Sequence, residues 1–86
     1  MVSYNLLIKR SAEKELRKIP KSELQRIASR IKTLEENPRP SGCQLLKGED
    51  RFYRVRQGDY RIIYEVLDDE RTVTIVKIGH RREVYD

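Results

Sequence analysis

The stretch RFYRVRQGDYRIIYEVLDDERTVTIVKIGHRREVY, from Arg51 to Tyr85, decides how the chain folds. Phe52 to Gln57 and Tyr60 to Leu67 are rich in aromatic and β-branched residues, and only Gly58 and Asp59 separate them, which is the signal of a two-residue hairpin. Pairing Gln57 with Tyr60 sets Arg56 opposite Arg61, Val55 opposite Ile62, Arg54 opposite Ile63 and Tyr53 opposite Tyr64. One face of this ladder is mostly apolar, and the other carries Arg54, Arg56 and Arg61. Two arginines directly across a strand pair repel each other, where an opposite-charge pair contributes roughly 0.2 to 1 kcal/mol. Stability alone does not select them.

A third strand, Thr72 to Ile78, follows the polar turn Asp68-Asp69-Glu70-Arg71 and is predicted to run antiparallel to the second. Pairing Val66 with Val73 gives a clean apolar face, whereas pairing Val66 with Thr72 puts Lys77 beside Arg61. In either register the end of this strand lies beside Tyr60 and Arg61. There Gly79 is expected to free the backbone for a sharp change of direction, followed by His80, Arg81, Arg82 and Tyr85. The expectation is that Arg56, Arg61, His80, Arg81 and Tyr85 converge on one cationic rim, with the open face that carries Arg54 beside them.

Upstream, Tyr4, Leu6 and Ile8 alternate with Asn5 and Lys9, the pattern of a strand expected to join the same sheet. Ser11 is positioned to cap a helix with Ala12, Leu16 and Ile19 on one side and Glu13 and Glu15 in its first turn. Pro20 ends that helix. Leu24, Ile27, Ala28, Ile31 and Leu34 then form the apolar stripe of a second helix starting near Lys21. Pro38-Arg39-Pro40-Ser41-Gly42 reads as a stiff, extended connector, after which Leu45 and Leu46 are expected to pack. The fold class is therefore α+β: an N-terminal strand, a two-helix hairpin and an antiparallel three-stranded meander. Each helix has a single apolar stripe, so both should cover one sheet face and leave the arginine face open.

The 86 residues make one expected domain, 1–86, and a chain of this size buries only about 60% of the surface its unfolded form exposes. A net charge of +5 favours nucleic acid or an acidic protein as partner. Residues 1–50 carry +4 of that charge and residues 51–86 only +1. A site in the last third thus rests on arrangement rather than on net charge. Cys43 is the only cysteine, which excludes an internal disulfide and suits a reducing cytoplasm. No signal peptide or membrane span is legible, so a cytoplasmic protein without membrane contact is expected.

Guanidinium groups offer planar, permanently charged donors that match phosphate oxygens two at a time. Converging arginines therefore suggest a phosphodiester site. RNA is cut without a metal or other cofactor when a base takes the 2′-hydroxyl proton, cations stabilise the phosphorane and an acid protonates the leaving 5′-oxygen. His80, Arg81 and Tyr85 are the candidates for these roles. A two-metal nuclease is disfavoured, because Asp68, Asp69 and Glu70 fall at the opposite end of the sheet. Arg26, Arg30 and Lys32 on the second helix form a solvated basic face that offers RNA or ribosome contacts, as do Lys77 and Arg82. An aromatic platform of the kind found in RNA-recognition domains is lacking.

The runs YRVR, GDYRIIYEV and IGHRREVY, with LLKG before them, resemble the RelE family of bacterial toxins within the wider RelE/ParE superfamily, and the likeness covers essentially the whole chain. It implies a ribosome-dependent endoribonuclease that cleaves mRNA in the decoding site and is held inactive by a cognate antitoxin. By that resemblance Arg54 and Arg56 take the places of two basic strand residues, usually lysines. Arg61 is the phosphate-stabilising arginine, Arg81 an acid and Tyr85 a base. His80 stands where a lysine occurs in relatives and is the alternative base. A second function within the superfamily is that of a ParE-type toxin, which poisons DNA gyrase by binding alone.

Overall fold

A computed structural model describes residues 3–46, 48 and 51–80. The elements in order are β1 (Asn5–Ile8), α1 (Arg10–Arg17), α2 (Lys21–Thr33), β2 (Gln44–Leu45), β3 (Phe52–Gln57), β4 (Tyr60–Leu67) and β5 (Thr72–His80). The five strands form one sheet in the order β1-β5-β4-β3-β2. The expected meander β3-β4-β5 is its antiparallel centre, and two edges are added to it. β1 lies parallel to β5, with Leu6 beside Val73 and Ile8 beside Ile75. The two-residue β2 pairs with β3 on the other side.

The hairpin has the predicted register, from Gln57 with Tyr60 to Tyr53 with Tyr64. Gly58 makes the reversal with φ of 60°, a left-handed conformation that suits glycine at the first position of a tight hairpin turn. Between β4 and β5 neither predicted register holds throughout. Val66 pairs with Val73 and Tyr64 with Ile75, but Ile63 then pairs with Lys77, so Val76 is the extra residue of a β-bulge. The physical reason is core demand. Ile75 and Ile78 are both buried although three positions apart, and strict alternation would turn one of them outward. The bulge also lets β5 run straight through Gly79 to His80, so the sharp turn expected at Gly79 does not occur there.

Both helices cover the same sheet face, as their stripes require. Ala12 and Ile19 from the first helical segment, and Ile27, Ile31 and Leu34 from the second, join Val55, Ile62, Tyr64, Val66, Val73, Ile75 and Ile78 in one core. α1 starts two residues earlier than Ser11 suggested. Lys9 is its N-cap, with no side-chain cap bond, because the Lys9 N–H is tied to the Ile75 carbonyl at 2.9 Å and the strand passes directly into the helix. The connector is less extended than expected. Cys43 N–H closes a turn onto the Pro40 carbonyl at 3.0 Å, with Gly42 at φ of 92°. Leu45 does not pack: it stands on the outermost strand and is 53% exposed.

Tyr64 joins connector to core. Its ring is fully buried against Tyr53, and its hydroxyl donates to the Pro38 carbonyl at 2.7 Å. Burial, and then Cys43 nearby, push its pKa above the ordinary phenol value, so it remains a donor. Among the described residues no helix is long and apolar enough to cross a membrane.

Candidate nucleic-acid site at the hairpin end of the sheet

The site is built where the β3–β4 turn meets the end of β5. Arg56 and Arg61 are direct cross-strand partners, and Gly79 is the partner of Arg61 on its other side. Cross-strand partners share a face, so both guanidinium stems leave the sheet on the side away from the helices, next to a position with no side chain. Arg56 is exposed and Arg61 half-buried. The sequence was right to bring these two together.

Two expectations need correction, and one alternative is removed. Arg54 lies on the same face two residues along but is only 4% exposed, and its Nη2 donates to Gln44 Oε1 on β2. The face is thus not open at Arg54, where the Gln44 side chain of the neighbouring edge strand engages its guanidinium. His80 does not share the face of Arg61. Its ladder partner is Tyr60, whose ring it meets edge-on at 5.6 Å and 81°. With Glu15, Lys18, Ile19 and Ile78, the two rings line a pocket on the helix side. The bulge decides this, since the extra residue fixes which of Gly79 and His80 follows Ile78 outward. Lys77, which only the Val66–Thr72 register set beside Arg61, pairs with Ile63 in the ladder and lies 3.6 Å from Glu15. Arg81, Arg82 and Tyr85 lie outside the described residues.

The basic residues of α2 divide. Arg26 is exposed and, with Arg30 and Gln57, lines a groove between α2 and the end of β3. Arg30 is half-buried rather than solvated, with its Nε enclosed. Lys32 points away and pairs with Glu35 at 3.7 Å.

Sequence reasoning missed Glu15. β5 outruns β1, and Glu15 Oε1 accepts the N–H of Ile78 at 3.0 Å on that edge. It thereby anchors the strand end that leads to Gly79 and His80. The only advance signal was a glutamate one residue before Leu16 on the buried side of α1. Among the described residues no three His, Cys, Asp or Glu side chains come together as metal ligands. The acidic turn at Asp68 is held by Arg39 and Tyr4 instead.

What this arrangement offers is a concentrated positive field for an anion, presented by side chains whose planes can each engage two oxygens. Comparisons with known proteins agree in scaffold. Residues 6–85 match the family described as the ParE toxin of type II toxin–antitoxin system, parDE. The candidate toxin RelE1 of Methanocaldococcus jannaschii is 38% identical over 98% of this chain and 97% of its own length. The mRNA interferase toxin RelE of Escherichia coli K12 is 28% identical over 98% of this chain and 92% of its own length. The crystal structure of the archaeal RelE–RelB complex from Pyrococcus horikoshii OT3 contains a chain that superposes with a TM-score of 0.84 at 30% identity, covering 96% of this chain and all of that one. Sequence likeness and a common fold lead to one conclusion: the chain is a toxin of a type II toxin–antitoxin system and belongs to the RelE family within the RelE/ParE superfamily.

Proposed function

We propose that this chain is a ribosome-dependent endoribonuclease that cleaves mRNA in the decoding site without a metal. The observation that carries the reading is the cross-strand pair Arg56–Arg61, which sets two guanidinium-bearing positions side by side on one face of the sheet, where a single phosphate can be engaged by both. In this scheme the 2′-hydroxyl oxygen attacks the adjacent phosphorus and gives its proton to a base. The bond to the 5′-oxygen breaks, and that oxygen takes a proton from an acid. Arg56 and Arg61 stabilise the charge on the phosphorane. Tyr85 as base and Arg81 as acid complete the proposal. His80, on the helix side against Tyr60, is not assigned the proton transfer. The relative named an mRNA interferase supports the same activity.

The inhibitor in this reading is an antitoxin that binds the toxin in a hetero-oligomer, as in the RelE–RelB complex. Coexpression with the neighbouring reading frame is expected to yield a copurifying partner that abolishes toxicity.

A second reading is gyrase poisoning by binding alone, favoured by the ParE name of the matched family. One experiment separates the two. On induction, mRNA should be cut at ribosome-occupied codons to leave 2′,3′-cyclic phosphate ends, and Arg61→Ala should abolish the cuts. Intact mRNA with trapped gyrase–DNA complexes would overturn the nuclease in favour of the binder.

A further inference from the structure

On the helix side of the hairpin end is a pocket of about 220 Å³ that the arginine rim does not include. The buried Ile19 and Ile78 line its floor, Tyr60 and His80 give it two aromatic rings, and Glu15 and Lys18 give it charge. The rings meet at 81°, an edge-to-face arrangement in which they do not stack on each other. The Glu15 carboxylate already accepts the Ile78 N–H and faces Lys77, so the charged group it leaves to a ligand is the exposed ammonium of Lys18.

The pocket and the rim are two sides of one strand end. Tyr60 and Arg61 are consecutive, so their side chains leave opposite faces of β4. Gly79 belongs to both places: it is the ladder partner of Arg61, and it also lines the pocket. Among the described residues, the position shared by rim and pocket therefore carries no side chain.

We propose that this pocket takes an unpaired nucleobase of the RNA, adjacent to the phosphate held by Arg56 and Arg61. The inference rests on the nuclease reading and adds to it a base-binding subsite. Single-stranded RNA is recognised by bases splayed out onto Tyr and His rings, with a cation close to the backbone. A pocket with two rings, two isoleucines and one lysine supplies those elements. A nucleotide that turns over the end of β4 brings its phosphate to Arg61 and its base to Tyr60. His80, excluded from the arginine face by the bulge, gains a role as part of the base platform.

The test uses two variants and two measurements. Tyr60→Leu removes the ring while keeping apolar bulk, and Tyr60→Phe keeps the ring. In an NMR titration, guanosine or adenosine 5′-monophosphate should shift the amide signals of Lys18, Ile19, Tyr60 and Ile78, and ribose 5-phosphate should not. On ribosome-bound mRNA, Tyr60→Leu should cut about tenfold more slowly, with a flattened preference for the base at the cut site, and Tyr60→Phe should match the parent protein. The pocket assignment fails if ribose 5-phosphate gives the same shifts as the nucleotides, if the nucleotides give none, or if Tyr60→Leu cuts with unchanged rate and preference. Failure of the parent protein to cut any RNA defeats the nuclease reading instead, and the nucleotide titration still decides the pocket.

Discussion

The two ends of the sheet treat arginine in opposite ways. At the β4–β5 turn, Arg39 donates through both terminal nitrogens to Asp68, at 3.1 and 2.7 Å, and through Nε to the Tyr53 hydroxyl at 2.9 Å. Tyr4 donates to the same carboxylate at 2.7 Å. That end is closed by a charge pair that ties the connector, the start of β1 and the turn together. At the β3–β4 end the ladder partner of Arg56 is another arginine. The same side chain thus closes the structure where a carboxylate faces it, and in the proposed nuclease it holds the phosphate where a second arginine stands opposite.

The contrast is broken most severely by exchanging the roles. Arg56→Ala should slow RNA cleavage by about 100-fold, the scale of losing one transition-state donor, while leaving thermal unfolding nearly unchanged. Arg39→Ala should do the reverse, keeping cleavage and lowering Tm by a few degrees, as expected of a partly exposed pair. Equal loss of activity in both variants would erase the distinction between the two ends.

A smaller effect sharpens it from the core side. Tyr64→Phe strips the donor from the buried Pro38 carbonyl and should cost about 1 to 3 kcal/mol in urea unfolding. Cleavage by the folded fraction should persist, since Tyr64 lies on the helix side and away from Arg56 and Arg61. Loss of activity without loss of stability would place Tyr64 in the site.

The smallest effect is in acid. The Arg39 hydrogen bonds, and then that of Tyr4, hold the Asp68 carboxyl below the usual carboxylate range. An unfolded aspartate takes its proton near pH 3.9, so as pH falls the unfolded state binds the proton first. The contribution is therefore present above about pH 4 and lost as pH drops through the lower folded value. Asp68→Asn should show a smaller difference in urea midpoint between pH 7 and pH 3 than the parent chain. An unchanged difference would mean that the clasp does not couple to folding.

Much of this molecule was legible without coordinates. The hairpin register followed from Gly58-Asp59, because a two-residue turn leaves no freedom in which residues face each other. The helix stripes followed from spacing, and their joint packing from each having one apolar side. The β4–β5 bulge was not legible in full. It is fixed by the need to bury Ile75 and Ile78 together, a requirement that exists only once helices press on that face. The error about His80 descends from it, since one extra residue reverses the face of everything beyond. Arg54 was misread for a related reason: nothing local announced that Gln44 and Leu45 would form an edge strand beside it and bring the Gln44 amide to its guanidinium.

Sequence by itself determined the strand pairing around the tight turn, the apolar faces of the helices and the placing of Arg56 against Arg61. All of these follow from short-range periodicity and turn chemistry. Only the tertiary structure decided that β1 lies parallel on β5, that Arg39 finds Asp68, that Glu15 secures the strand end, and on which side His80 stands. Those depend on contacts between residues distant in the chain, which the packing of the whole core selects and no local pattern encodes.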